Sequence, residues 1–307
     1  MPILQVKNIF KSFGKLIAVD DVSFSVDKGH VYGLLGPNGA GKTTTIRMIM
    51  NIIVPDSGSI LLFDRKMNDA LKQTVGYLPE ERGVYPKMKV RDLLVFIGEM
   101  HGLTYKQAQK NSSYWLERFE LNNRADDKIE ELSKGNQQKL QFINAIIHDP
   151  QFIILDEPFS GLDPVNVNLL KEIILEFKNK NKGIIFSTHQ METAEKLCDE
   201  ILMINRGKKV LDGDLLKIQN QYGKNSFQIE YEGDGRFMSE LSSVRNYDDF
   251  GNYAEIQLKE NISPNDFLKQ IIDKIQIISL QSRKSSLNEI FIQLAGGGRD
   301  EKNSDIN

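Results

Sequence analysis

The sequence predicts a two-domain α/β protein, and three observations predict it. Short β-rich runs at 4–6, 22–26, 31–35 and 60–63 are punctuated by Gly29, Asp56, Ser57 and Gly58. A strand at 152–155, a helix at 166–179 and a strand at 184–186 follow one another at the spacing of a parallel sheet, whose neighbouring strands need a crossover. Around 219–225 the composition turns polar, and a smaller unit follows.

Between these landmarks the elements are read in order. A helix over 43–50 is started by the glycine-rich turn before it. From 89 to about 147 the period becomes 3.6, with Val90, Leu93, Leu94 and Ile97 on one stretch and Trp115, Leu116 and Phe119 on another, so a helical insert is expected there. Residues 201–205 and 208–211 form a hairpin turning on Arg206 and Gly207. The expected organisation is a first domain over 1–218 with its helical part at about 88–150, then a linker over 219–225. An α+β domain over 226–294 and a disordered tail over 295–307 complete it. In the second domain, strands are expected at 226–231, 253–258 and 277–280, an amphipathic segment at 264–275 and a helix at 286–294. The polar tail has too little apolar area to bury.

Composition narrows the function. Thirty-nine Lys and Arg against 42 Asp and Glu leave a net charge of −3, and the basic residues cluster only in pairs such as Lys208-Lys209, so no nucleic-acid partner is expected. The longest apolar run, 93–97, is far short of the ~20 residues of a membrane span. The N-terminal stretch MPILQVKNIFK lacks the apolar core of a secretory signal, and the single cysteine, Cys198, fits a reducing compartment. His30, His101, His148 and His189 are too scattered for zinc spacing.

The chemistry concentrates in a few places. Gly36, Pro37, Asn38, Gly39, Ala40, Gly41, Lys42 and Thr43 match G-x-x-x-x-G-K-[ST], directly after an apolar strand and directly before a helix. That context matters because glycines let backbone N–H groups curl round phosphates while the helix N-terminus presents its positive end. Lys42 reaches β- and γ-phosphates, and the Thr43 hydroxyl ligates Mg²⁺. The strand 152–155 ends in Asp156 and Glu157, two carboxylates suited to a Mg²⁺ shell and to an attacking water respectively. Ser133 is an N-cap before a helix running to about 147, and Gly135 leaves its first N–H groups accessible. His189 lies at the same sheet edge as Asp156, either as a polar loop residue or as a hydrogen-bonding sensor of the γ-phosphate. Ser160, Gly161, Leu162 and Asp163 lie in a turn stiffened by Pro158 and Pro164.

Phosphate loop, Leu132-Ser133-Lys134-Gly135-Asn136, strand plus Asp156 and Glu157, Ser160 to Asp163, and Thr188-His189 occur in one order that resembles the nucleotide-binding subunits of ABC transporters, over residues 2 to about 218. The short interval from Ser133 to Asp156 is unlike that of the chromosome-maintenance and DNA-repair ABC ATPases. The resemblance implies a P-loop ABC-type domain with a mixed sheet core, an antiparallel β subdomain and a helical insert. It also implies ATP and Mg²⁺ as cofactors and ATP hydrolysis as the activity. Carried residue by residue, it implies that Phe13 stacks on adenine and that Gly39, Gly41, Lys42, Thr43 and Thr44 bind phosphates and Mg²⁺. It implies further that Asp156 supports the metal, Glu157 is the catalytic base and His189 the switch. Ser133, Gly135 and Asn136 then complete the site of a second copy in a head-to-tail dimer.

Two departures stand out. Glu80 occupies a position where the family places Gln, which strengthens a metal contact, and the signature carries Lys134 and Asn136 in place of Gly and Gln. A narrower resemblance to the ATPase subunits of bacterial Nat-type sodium exporters and their ABC-2 relatives rests on three stretches. These are Tyr77 to Gly83, Leu132 to Gln138, and Leu287 to Phe291. It implies export through a separate membrane permease subunit, sodium being one candidate cargo. It also implies a peripheral place on the cytoplasmic face of the cell membrane, with residues 85–97 forming the groove for the permease. A soluble non-transport ABC ATPase and an ATP-dependent regulatory clamp stay open as alternatives.

Overall fold

The computed structural model describes residues 2–80, 83, 85–223 and 225–296. It divides between Gly213 and Asp214 into two compact units. The first contains β1 (Pro2–Phe13), β2 (Leu16–Asp27), β3 (Val31–Leu35), α1 (Lys42–Ile49), β4 (Ser57–Leu62), α2 (Asp69–Lys72) and β5 (Val75–Leu78). It continues with α3 (Val90–Met100), α4 (Tyr105–Arg118), α5 (Lys134–Ile146), β6 (Phe152–Asp156), α6 (Pro164–Asn179), β7 (Gly183–Thr188), α7 (Met191–Leu197), β8 (Glu200–Asn205) and β9 (Lys208–Asp214).

Nine strands form one mixed sheet in the order β4-β1-β2-β9-β8-β3-β7-β6-β5. β1 pairs antiparallel with β2 and β4, whereas β3, β5, β6, β7 and β8 pair in parallel. Every residue of β3, β6 and β7 is buried, which explains their nearly unbroken apolar sequences, because a parallel strand covered on both faces has no polar side to offer. The register sets Leu35 against Thr188 and Asp156 against Ser187, so three loops emerge together at one sheet edge. The expected hairpin on Arg206 and Gly207 is present; both residues have positive φ, 50° and 79°, as a two-residue hairpin turn of the right twist requires.

The helical insert consists of α3, α4 and α5 with two 3₁₀ turns. Thr104 and Gln107 form a reciprocal cap at the start of α4, and the Ser133 hydroxyl accepts from Asn136 N at the start of α5. Helix α5 lies against β5 because Gly76 has no side chain: a Cβ there would stand 2.1 Å from the Ala145 carbonyl oxygen.

The second unit holds α8 (Leu215–Tyr222), β10 (Ser226–Glu232), β11 (Val244–Asp249), β12 (Tyr253–Leu258), α9 (Pro264–Ile271), β13 (Gln276–Ser282) and α10 (Leu287–Gly296). Its antiparallel sheet runs β11-β12-β10-β13, and Ile229, Tyr231, Ile256, Phe267 and Ile271 form its separate core. Four points differ from what the sequence leads one to expect. The stretch expected as a linker, 219–225, begins inside α8, a helix capped by Asp214 and buried through Leu215 and Ile218; its polar remainder disguised an amphipathic turn. The first unit accordingly ends at Gly213 rather than 218. Strand β11 was not anticipated, since Arg245, Asn246, Asp248 and Asp249 are all exposed and leave no alternation to read. Of the expected tail, α10 takes in 295 and 296, and 297–307 lie outside the described residues.

Replacing Gly76 with Ala forces α5 off β5. We expect Gly76→Ala to cost at least about 2 kcal/mol of stability, measured by chemical denaturation.

Candidate functional site

The loop between β3 and α1 is built by backbone constraints. Gly36 has φ 149°, and a Cβ on it would lie 2.2 Å from the Ile204 carbonyl oxygen, so only glycine passes there. Gly41, in left-handed conformation, is the N-cap of α1; it offers no capping side chain, and no acidic residue sits in the first turn. The first N–H groups of the helix are therefore directed at whatever fills the loop. The Lys42 Nζ donates to Gly36 O at 2.8 Å and Pro37 O at 3.2 Å. It also stands 3.6 Å from Glu157 Oε1. Thr43 Oγ1 donates to Glu80 Oε2 at 3.1 Å.

At the end of β6 two adjacent carboxylates part company. Asp156 is buried; Ser187 Oγ donates a short hydrogen bond to its Oδ1, while Oδ2 has no hydrogen-bond partner among the described residues. Burial raises its carboxyl above the ordinary range, against the pull of the Ser187 bond. Glu157 takes φ 48°, in the left-handed region, its amide donating to Ser187 O at 3.2 Å and to Ser187 Oγ at 3.1 Å. The bend points its carboxylate at Lys42 and at His189, whose Nδ1 lies 3.0 Å from Glu157 Oε1.

Of these groups Lys42, Thr43, Glu80 and Glu157 wall a cavity of about 730 Å³, which Asp156 and His189 do not line. Phe13, Leu16 and Ile17 make its apolar end; Asn38, Gly39, Gly41, Lys42, Thr43 and Thr44 make its loop end; Glu80, Glu157 and Arg206 supply further charge. The Phe13 ring is half exposed at the β1–β2 hairpin, with Lys11 Nζ 5.5 Å from its centroid. A smaller cavity of about 160 Å³ adjoins, walled by Asn38, Glu80, Gln138, Glu157, Ser160 and His189. Gly36, Pro37 and Ala40 shape the loop, Pro37 O accepting from Ala40 N at 3.1 Å, without facing the larger cavity. Ser133, Gly135 and Asn136 wall neither cavity. Glu81, Arg82 and Val84, near Glu80, lie outside the described residues.

Sequence reasoning passed over two side chains. Ser187 carries no local signal in the sequence, because its pairing with Asp156 depends on strand register. Arg206 appeared only as a turn residue, because its side chain reaches the cavity from the β8–β9 turn, far along the sequence from the loop before α1.

A family model described as ABC transporter matches residues 19–160. One described as ATP-binding protein DrrA1-3-like, C-terminal domain, matches residues 213–295. An uncharacterized ABC transporter ATP-binding protein, YhaQ of Bacillus subtilis (strain 168), is 41% identical over 95% of this chain and 98% of its own length. The chain belongs to the ABC transporter ATP-binding proteins. As a member of that family it is an ATPase. This ABC subunit is also 32% identical to the Nod factor export ATP-binding protein I of Burkholderia lata (strain ATCC 17760), over 96% of this chain and 98% of that one. A solved ATP binding subunit of an ABC transporter superposes with a TM-score of 0.68 at 32% identity, covering 72% of this chain and 93% of that chain. Among the described residues no helix is long and apolar enough to cross a membrane.

Ser187 holds both acidic residues, so its loss is a sensitive test of the ABC subunit's sheet edge. We expect Ser187→Ala to destabilise the protein by about 1–3 kcal/mol in chemical denaturation, since a buried carboxylate loses its donor.

Proposed function

We propose that this ABC subunit hydrolyses ATP to power export through a separate membrane permease, working as a head-to-tail dimer peripheral to the cytoplasmic face of the membrane. The observation that carries the catalytic part is the left-handed turn at Glu157, which holds one carboxylate between Lys42 and His189 at the mouth of the phosphate loop. In this reading adenine stacks on Phe13, the phosphates lie along Gly39 to Thr44, and Lys42 leaves its loop carbonyls to meet the β- and γ-phosphates. Glu157 accepts a proton from the water that attacks the γ-phosphorus, the bond from that phosphorus to the bridging oxygen breaks with its electron pair leaving on ADP, and His189 holds Glu157 and the γ-phosphate in register.

The donors near the loop suit magnesium. Asp156 Oδ2 is buried without a partner among the described residues, and the Thr43 hydroxyl and Glu80 carboxylate stand together at the cavity wall. Among the described residues no three His, Cys, Asp or Glu side chains form a cage, which suits a cation completed by phosphate and water. Thr43, Glu80 and Asp156 would hold Mg²⁺, which when bound neutralises phosphate charge. Ser133, Gly135 and Asn136, which wall neither cavity although Gln138 of the same helix lines the smaller one, are assigned to the partner's ATP, with Lys134 adding positive charge beside it.

Export is supported by the Nod factor relative's printed role, and sodium is the first cargo to test because of the subfamily likeness of the sequence. The permease is assigned to the helical insert, where Tyr85 and Phe96 are 56% and 41% exposed and meet edge to face at 6.2 Å.

Glu157→Gln is expected to lower turnover at least ~100-fold. It should also trap an ATP-dependent dimer in size-exclusion chromatography; unchanged turnover removes Glu157 from the base role. In a mild-detergent pull-down the wild-type chain should carry a stoichiometric multi-span membrane protein. Tyr85→Arg should lose that protein while binding ATP normally; retention overturns the docking assignment.

A further inference from the structure

The cavity has one cation that the proposed mechanism leaves without a task. Lys42 is engaged by Gly36 O, Pro37 O and Glu157, and nearby Lys11 is paired with Asp56 at 2.7 Å. Arg206 also walls the cavity, yet no hydrogen bond or ion pair is found for its guanidinium among the described residues.

Its position is fixed from both sides. The amide of Gly207 donates to Ala40 O in the phosphate loop at 2.8 Å, and Gly207 O accepts from Asp20 N on β2 at 2.8 Å. A Cβ on Gly207 would meet Ala18 O at 3.0 Å, so the turn is wedged between β2 and the loop. Arg206 itself has φ 50°. Turn chemistry alone favours Asn, Asp or Gly there, and arginine gains nothing from the left-handed conformation. The side chain, rather than the turn, therefore calls for an explanation.

The wedge also locates it along the cavity. Ala18 follows Ile17 at the apolar end, and Ala40 lies between Gly39 and Gly41 at the loop end. Glu80 and Glu157 border the smaller cavity with His189, where the terminal phosphate is assigned. Arg206 thus enters between the base and the start of the phosphate chain. A guanidinium offers five donors in a planar fork matched to phosphate oxygens.

We propose that Arg206 is a nucleotide-binding residue that grips the α-phosphate end of the ligand, the part common to ADP and ATP. It rests on the assignment of this cavity to nucleotide. A contact at that end strengthens both nucleotides alike, so it sets how long ADP stays after hydrolysis and does not distinguish triphosphate from diphosphate.

The test is equilibrium titration of the full chain with ADP and with ATP in the presence of magnesium, comparing wild type, Arg206→Asn and Lys42→Ala. Asn suits the left-handed turn, so Arg206→Asn should melt at or above the wild-type temperature. It should nonetheless bind both nucleotides about tenfold more weakly. Its affinity should also fall less steeply with added salt, one charge contact having gone. Unchanged affinities overturn the proposal. Loss confined to ATP overturns it by placing Arg206 at the γ-phosphate, and weaker binding with a lowered melting temperature reduces it to a structural role. If Lys42→Ala binds both nucleotides like wild type, the cavity assignment itself has failed, and Arg206 falls with it.

Discussion

Ser187 ties two strand ends into one device. Its hydroxyl donates a hydrogen bond to the buried Asp156 and accepts one from the Glu157 amide, so a single small side chain fixes both acidic residues against β7. The parallel register makes this possible, since it sets Asp156 opposite Ser187 and carries both β6 and β7 to the same edge as the loop after β3. If β7 slipped by one residue, every side chain on it would move to the opposite, equally packed face of the sheet and the acids would lose their anchor. The strand pairing is thus as much a part of the active edge as the residues that border the cavity.

Charge in this region is arranged by backbone geometry more than by proximity in sequence. Asp156 and Glu157 are adjacent, but one is buried against Ser187 while the other bends through a left-handed residue into the cavity. Two carboxylates side by side on an extended strand would merely project to opposite faces. The bend converts that alternation into two environments, one buried against Ser187 and one facing the cavity.

Legibility in the sequence followed the range of the interaction. The phosphate loop was readable because glycine spacing, the preceding strand and the following helix all lie within a few residues of Lys42. The two acids after β6 were readable as a pair, but the turn at Glu157 and the role of Ser187 depend on strand register, which no local pattern displays. Phe13 had a role only by resemblance; its half-exposed ring beside Leu16 and Ile17 became evident once β1 and β2 were paired. Helix α8 was hidden by the polar residues on its outer side, and β11 by the charges that an exposed edge strand carries.

The strand order has a consequence for biogenesis. β3, entirely apolar and buried, lies between β7 and β8, so its two partners are residues 183–188 and 200–205. During synthesis from the N-terminus the chain emits this sticky segment early and has nothing to pair it with until most of the first unit has been made. Non-local parallel pairing is slow to form, and unpaired apolar strands associate with one another in the meantime. Residues 31–35 are thus most open to association in the interval between their own synthesis and the arrival of β7 and β8.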